Sequence, residues 1–339
     1  MAEPKSATTP DRRQIPDRLD RSWQRVAKSW EALLFLVLVA IFVTNCLTSP
    51  FFLDPWNLSD ATFDFTEKAI MALAMTFLII AGEIDLSVAA IIALASTAMG
   101  AAAQTGTGTP ALVAIGLGVG LACGAFNGWL VTGLRLPSII ATIGTMSLFR
   151  GIAYVVLGDQ VYKGYPVDFA YFGQGYAIWA FSFEFVSFLT LAVIAGIVLH
   201  RTVFGRVVYA IGNNPLGARF SGIRVTRIKF ILFLLTGLTS GIAAVMLTSR
   251  LGATRPSIAF GWELQVVTMV VLGGVNIQGG SGTILGVVIA AFVMGLVTFG
   301  LGLLNVPGIV MSIIIGLMLI CVIALPIIAR RLLQKRKAA

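Results

Sequence analysis

Residues His200–Lys229 read HRTVFGRVVYAIGNNPLGARFSGIRVTRIK, a basic, glycine-bearing segment inside a chain that is otherwise almost all apolar. It carries Arg201, Arg206, Arg219, Arg224, Arg227 and Lys229 and no acid. Its middle, Val207–Gly222, is expected to form a short helix lying across a membrane surface. A many-spanning protein with one long basic loop on its cytoplasmic side is built to meet a soluble partner there. This loop therefore decides between a self-sufficient transporter and one half of a two-part machine.

The rest of the chain supplies the membrane context. Of 339 residues, 58% are hydrophobic and 12% charged, about half the charge of a soluble domain. The net charge of +9 does not mark a nucleic-acid binder, because the basic residues cluster at the edges of apolar runs, the pattern of membrane orientation. A spanning helix needs about 20 apolar residues. Such segments lie near 31–49, 68–82, 88–103, 111–133, 138–157, 184–200, 229–248, 263–275, 283–302 and 308–329. The expectation is an all-α polytopic membrane protein of about ten transmembrane helices, some broken, with both termini on one side.

Positive charge identifies that side. The first thirty residues hold seven Lys and Arg, the 200–229 loop six and the segment after Ala329 five, and Arg135 lies in a short loop on the same side. Those are nineteen of the 24 basic residues, so that side is cytoplasmic. The organisation expected is a disordered basic cytoplasmic tail (1–30), a transmembrane domain (31–329) containing the cytoplasmic 201–229 loop, and a second basic tail (330–339). The first tail lacks an apolar core followed by a cleavage site, so it is not read as a signal peptide.

Two spans are short and followed by glycine. One runs from Lys68 to Gly82 and continues as GEIDLS, Gly82–Ser87; the other ends near Leu272 and continues as GGVNIQGGSGT, Gly273–Thr283. Irregular backbone at membrane depth must be buried or line a wet cavity, and paired broken helices point to a transport pathway. Alternatively, Asp85 or Ser87 caps the helix starting at Val88. Arg150, in the outer half of the fifth span, must face a cavity, pair with an acid such as Asp159, or snorkel outward. Asn127 and Asn276 are further polar groups in or beside spans. Glu83, Asp85, Asn127, Arg150 and Asn276 are thus the candidates for a translocation pathway. In the fourth span, GLGVGLACGAFNG places Gly116, Gly120, Gly124 and Gly128 four apart, on one helix face where a neighbouring backbone can approach. Gly237 and Gly241, and Gly308, Ser312 and Gly316, repeat the spacing.

Enzymatic motifs fail. GNNPLGAR, Gly212–Arg219, has two glycines of a phosphate loop but Ala218-Arg219 where Lys-Ser/Thr is required. No zincin or nucleophile-elbow motif occurs. Cys46, Cys123 and Cys321 lack metal-ligand spacing. The chain is expected to be no enzyme, with no cofactor of its own; energy for active transport must come from an ion gradient or another chain.

Three segments resemble one family. LIIAGEIDLSVAAIIAL (78–94), GRVVYAIGNNPLGARFSGIRV (205–225) and VVLGGVNIQGGSGTILGVVIAA (270–291) are similar to signatures of bacterial ABC sugar-importer permeases of the ribose, arabinose, xylose, rhamnose and autoinducer-2 type. Glu83 stands where that family usually has a second glycine. The resemblance implies a permease subunit of the bacterial inner membrane and a periplasmic sugar-binding protein that delivers solute. It implies a second permease, copy or paralogue, and a cytoplasmic ATPase subunit that binds the ATP. It also implies ATPase-coupling positions at Gly212, Asn213, Pro215, Ala218, Arg219, Ser221 and Gly222. The competing reading is an ion-coupled secondary sugar transporter using Glu83 or Asp85.

Overall fold

The computed structural model describes residues 30–158, 160–318 and 320. The first expected tail up to residue 29, the second expected tail, Asp159, Cys321 and the end of the last span lie outside the described residues; Trp30, expected in the first tail, begins the first helix.

The architecture is a helical bundle. Its helices are α1 (Trp30–Thr48), α2 (Pro55–Phe63), α3 (Thr66–Ile80), α4 (Val88–Ala103), α5 (Thr109–Thr132), α6 (Ser138–Leu157), α7 (Phe183–Arg201), α8 (Val203–Asn213), α9 (Pro215–Phe220), α10 (Val225–Leu251), α11 (Trp262–Leu272) and α12 (Ile284–Leu303), followed by α13 (Gly308–Met318). Among the described residues, α1, α5, α6, α7, α10 and α12 are long and apolar enough to cross a membrane, and α4, α11 and α13 are shorter apolar helices. Each of the ten predicted segments contains one helix. This is a multi-pass, α-helical membrane protein.

The short helices sit inside. α3 has 15 residues, nearly all buried, and rises about 22 Å, short of the ~30 Å hydrocarbon core. A helix this short does not span the core alone, which is tolerable because protein surrounds it. α1 lies at the other extreme, with Leu34 its one buried residue, as a lipid-facing helix requires.

Close backbone approach holds α5 to α10. A Cβ built on Gly120 would lie 2.5 Å from the Gly237 carbonyl oxygen, and one on Gly124 would lie 2.5 Å from that of Phe233. Gly116 abuts the Met99 and Val245 side chains, and Gly128 the Phe230 ring. Gly308 and Gly316, by contrast, have no neighbour within 4 Å of such a Cβ. Their spacing packs no helix among the described residues.

Two local expectations change. Val207–Gly222 is not one helix: the chain breaks at Asn214, whose side chain accepts from the Gly217 N–H (2.9 Å) and caps α9, with Pro215 in its first turn. Between α6 and α7 lies a small antiparallel hairpin, β1 (Tyr176–Ile178) and β2 (Phe181–Ser182). Its turn places Trp179 at φ 46°, and no period-2 pattern long enough to read marks it in the sequence.

Candidate functional site

The polar and irregular elements gather at the two ends of the bundle and at one point between. The two glycine breaks meet at one end. Gly280 N–H donates to the Ile80 carbonyl (2.9 Å), and a Cβ at Gly279 would touch Ile80 and Gly82. The break after α3 is held further by Ile84 N–H donating to Ser138 Oγ (3.3 Å). The irregular backbone at this junction is thereby hydrogen-bonded within the chain.

α8 lies against this junction. A Cβ on Gly212 would fall 1.8 Å from the Ile80 carbonyl oxygen and 2.5 Å from Gly280 N, so no larger residue fits. Asn213 Nδ2 donates to the carbonyls of Tyr209 (2.8 Å) and Gly280 (3.1 Å). The Tyr209 hydroxyl donates to Gly282 O (2.6 Å), and its burial raises the phenol pKa. Gly212 and Asn213, expected at a partner's surface, also contact this chain's own breaks; Gly212 is half-buried there and Asn213 remains exposed. Ala218 is buried. Pro215, Arg219, Ser221 and Gly222 are exposed. So are Leu216 (67%) and Phe220 (90%), which sequence reasoning passed over. Their i, i+4 spacing beside Arg219 was the available signal, since it sets them on one helix face.

Just inside the break, Asp85 is fully buried. Its carboxylate accepts from Ser87 N–H (2.9 Å), Ser87 Oγ (2.7 Å) and Thr236 Oγ1 (3.1 Å), with Asn127 Nδ2 at 3.5 Å. Asn127 Nδ2 also donates to Ser87 Oγ (2.7 Å). Of the two capping alternatives, Ser87 makes no side-chain cap to α4. Asp85 instead closes an Asx turn onto Ser87 and fastens it to α5 and α10. Glu83, two residues earlier, forms an ion pair with Lys229 at the start of α10.

Two candidates fall elsewhere. Asn276 is exposed, and its Oδ1 accepts from Gln278 N–H (3.0 Å) within its own turn; it does not join Asp85 and Asn127. Arg150 neither snorkels freely nor approaches them. Its Nη1 donates to the carbonyls of Pro256 (2.9 Å) and Ile258 (2.7 Å), and its guanidinium sits 5.7 Å from the Phe260 ring centroid. It clamps the α10–α11 loop.

The opposite end carries a second charged group. Arg250 pairs with fully buried Glu67 (2.8 Å) and lines a cleft of about 340 Å³ with Asp60, Asp64, Gln174 and Tyr176. Burial raises the Asp64 pKa, opposed by the charges of Lys68 and Arg250. Nothing in the sequence pattern joined Glu67 to a residue 183 positions away.

Residues 57–323 match the family model described as the permease component of the branched-chain amino acid transport system. The chain is 34% identical to the ribose import permease protein RbsC of Bacillus subtilis (strain 168) over 294 residues, covering 86% of this chain and 90% of the relative. It is 36% identical to the L-arabinose ABC transporter permease protein AraH of Azospirillum brasilense over 314 residues (91% and 90%). This chain belongs to that permease family. It is also 34% identical to the autoinducer 2 import system permease protein LsrD of Escherichia coli O9:H4 (strain HS), over 88% of the chain and 92% of the relative. No solved structure matches significantly. In this permease, the three segments that carry the resemblance converge at the end where α8 meets the two breaks.

Proposed function

We propose that this permease forms the translocation pathway of an ATP-driven importer in the bacterial inner membrane. Its solute is a monosaccharide or similar polyol-like molecule, delivered by a periplasmic binding protein at the end that carries Arg250 and the β1–β2 hairpin. Two permeases, copies or paralogues, enclose the path. A cytoplasmic ATPase subunit binds the ATP and docks on α9. The relatives named for ribose, arabinose and autoinducer 2 import support the solute class.

One observation carries the coupling assignment. α8 is wedged through Gly212 and Asn213 against both glycine breaks, while the adjoining α9 presents Leu216, Arg219 and Phe220 outward. A partner gripping α9 thus acts on a segment already joined to the irregular backbone. Pro215, Arg219, Ser221 and Gly222 form the docking face, and Gly212, Asn213 and Ala218 keep it seated. Asp85 and Asn127 hold the break from inside. The ion-coupled alternative is weakened by two contacts: Glu83 is already paired with Lys229, and Asp85 is surrounded by hydrogen-bond donors that satisfy its carboxylate.

Uptake into vesicles containing the permease and its ATPase tests the assignment. Uptake that requires ATP and survives collapse of ion gradients is expected. Gradient-driven uptake without the ATPase overturns it.

A further inference from the structure

A cleft of about 250 Å³ opens between α9, the start of α10 and the break after α3. Arg135, Arg219 and Lys229 line it together with one acid, Glu83, and with the apolar Pro215 and Leu216. Lys229 and Glu83 pair within it, their side chains only 17% and 13% exposed. Arg135 and Arg219 have no salt-bridge partner among the described residues. The lining thus carries more positive charge than its own acid neutralises, next to the exposed face of α9.

We propose that this cleft receives a carboxylate side chain of the cytoplasmic ATPase, and that Glu83 occupies the site as an intramolecular competitor until the partner docks. The inference rests on the reading of α9 as the ATPase-docking segment and names the chemistry of that contact. Charge complementarity argues for the occupant: two cations without salt-bridge partners and a third held by an internal acid match an incoming carboxylate, and Leu216 offers apolar contact beside it. The competitor has a structural consequence. Glu83 lies two residues from Asp85, whose side chain fixes the break to Ser87, Asn127 and Thr236. While Glu83 holds Lys229, the break is tied to the base of α10. Transfer of Lys229 to the partner's carboxylate unties it at the inner end and leaves it anchored at Asp85. Docking is thereby felt at the backbone that separates the cytoplasm from the bundle interior.

The test measures binding of the separately purified ATPase subunit to the full-length permease in nanodiscs, at two salt concentrations. Glu83→Gln removes the competitor and should tighten binding about fivefold, roughly the effect of one partly screened ion pair. Lys229→Gln removes a cation and leaves Glu83 to repel the partner, so binding should weaken by a similar factor. The double variant should fall between the two. High salt should compress these differences. If Glu83→Gln does not fold, Glu83→Asp keeps the charge but shortens the reach, and should tighten binding to a smaller degree. Unchanged or weaker binding by a folded Glu83 variant overturns the competitor. Wild-type permease that binds no ATPase at all overturns the docking reading itself, which separates the two failures.

Discussion

Replacing Gly120 with leucine tests the packing on which the bundle rests. The first atom added, Cβ, would meet the Gly237 carbonyl oxygen at 2.5 Å, Gly241 Cα at 2.8 Å and Gly241 N at 3.0 Å. Ordinary contacts lie at about 3.5–4.0 Å, so α5 and α10 must separate by roughly 1 Å. All three obstacles are backbone atoms, so no rotamer change relieves them. The rest of the leucine side chain must then find room along the same seam. Overpacking costs about 1–3 kcal/mol, and a backbone-to-backbone clash belongs at the upper end. Gly118→Leu is the control, because a Cβ there has no neighbour within 4 Å. Thermal unfolding of the purified protein, with size-exclusion chromatography for assembly, should show a clearly lower midpoint and less assembled protein for Gly120→Leu and little change for Gly118→Leu. Gly237→Ala presses on the same seam from the other side, at 2.3 Å from Gly120 O. Its cost should be less than additive with that of Gly120→Leu, since one substitution already parts the helices. Equal midpoints for Gly120→Leu and wild type would refute the reasoning.

Three further outcomes are expected. Asp85→Ala strips the acceptor from Ser87, Thr236 and Asn127 and should lower stability by about 1–3 kcal/mol, read by thermal unfolding; a variant as stable as wild type would mean that the carboxylate does not organise the break. Arg219→Glu should insert normally yet lose ATPase co-purification and ATP-driven uptake, by about 2–5 kcal/mol if the charge is desolvated at the interface and far less if it sits at the rim; full activity would remove Arg219 from the docking face. In a cysteine-free background, single cysteines within 162–178 should react with an impermeant maleimide in intact cells and those within 207–222 should not, and the reverse pattern would invert the topology.

Local sequence made the helices legible and left their pairing obscure. Apolar runs bounded by charge or glycine placed ten helical segments, with α10 starting at Val225 rather than near Lys229 because its first turn is amphipathic rather than apolar. Both breaks were visible for the same reason: GEIDLS and GGVNIQGGSGT interrupt the apolar pattern. Their mutual contact was not, since the Ile80–Gly280 hydrogen bond joins backbone atoms, which no side-chain pattern records. The partners of the acids were hidden similarly, Lys229 lying 146 residues from Glu83 and Thr236 151 from Asp85. Asn276 and Arg150 were grouped with the interior because a polar residue beside a span signals that it needs partners, not which ones. Turn backbone satisfies the first, and loop carbonyls the second.

Gly212 illustrates how a residue's role can shift from surface to interior without leaving the motif that carries it. Read as sequence, it belongs to a docking loop. Read in place, it is where that loop presses on Ile80 and Gly280 with no room for a methyl group. Asn213 adds a hydrogen bond to the same glycine turn, and Tyr209 adds another to Gly282. The three contacts lie on one side of α8, across the Asn214 break from the exposed face of α9. Under the proposed coupling, force from an ATPase on α9 passes across the Asn214 turn into a helix that cannot slide over the breaks without losing these contacts. Rigid-body displacement of α8 together with both breaks is then the low-cost response, because packed elements move as units rather than deform continuously. On that reading, a motif conspicuous for its exposed arginine owes its mechanical link to a glycine with no room for a methyl group and to an asparagine bonded to the same glycine turn.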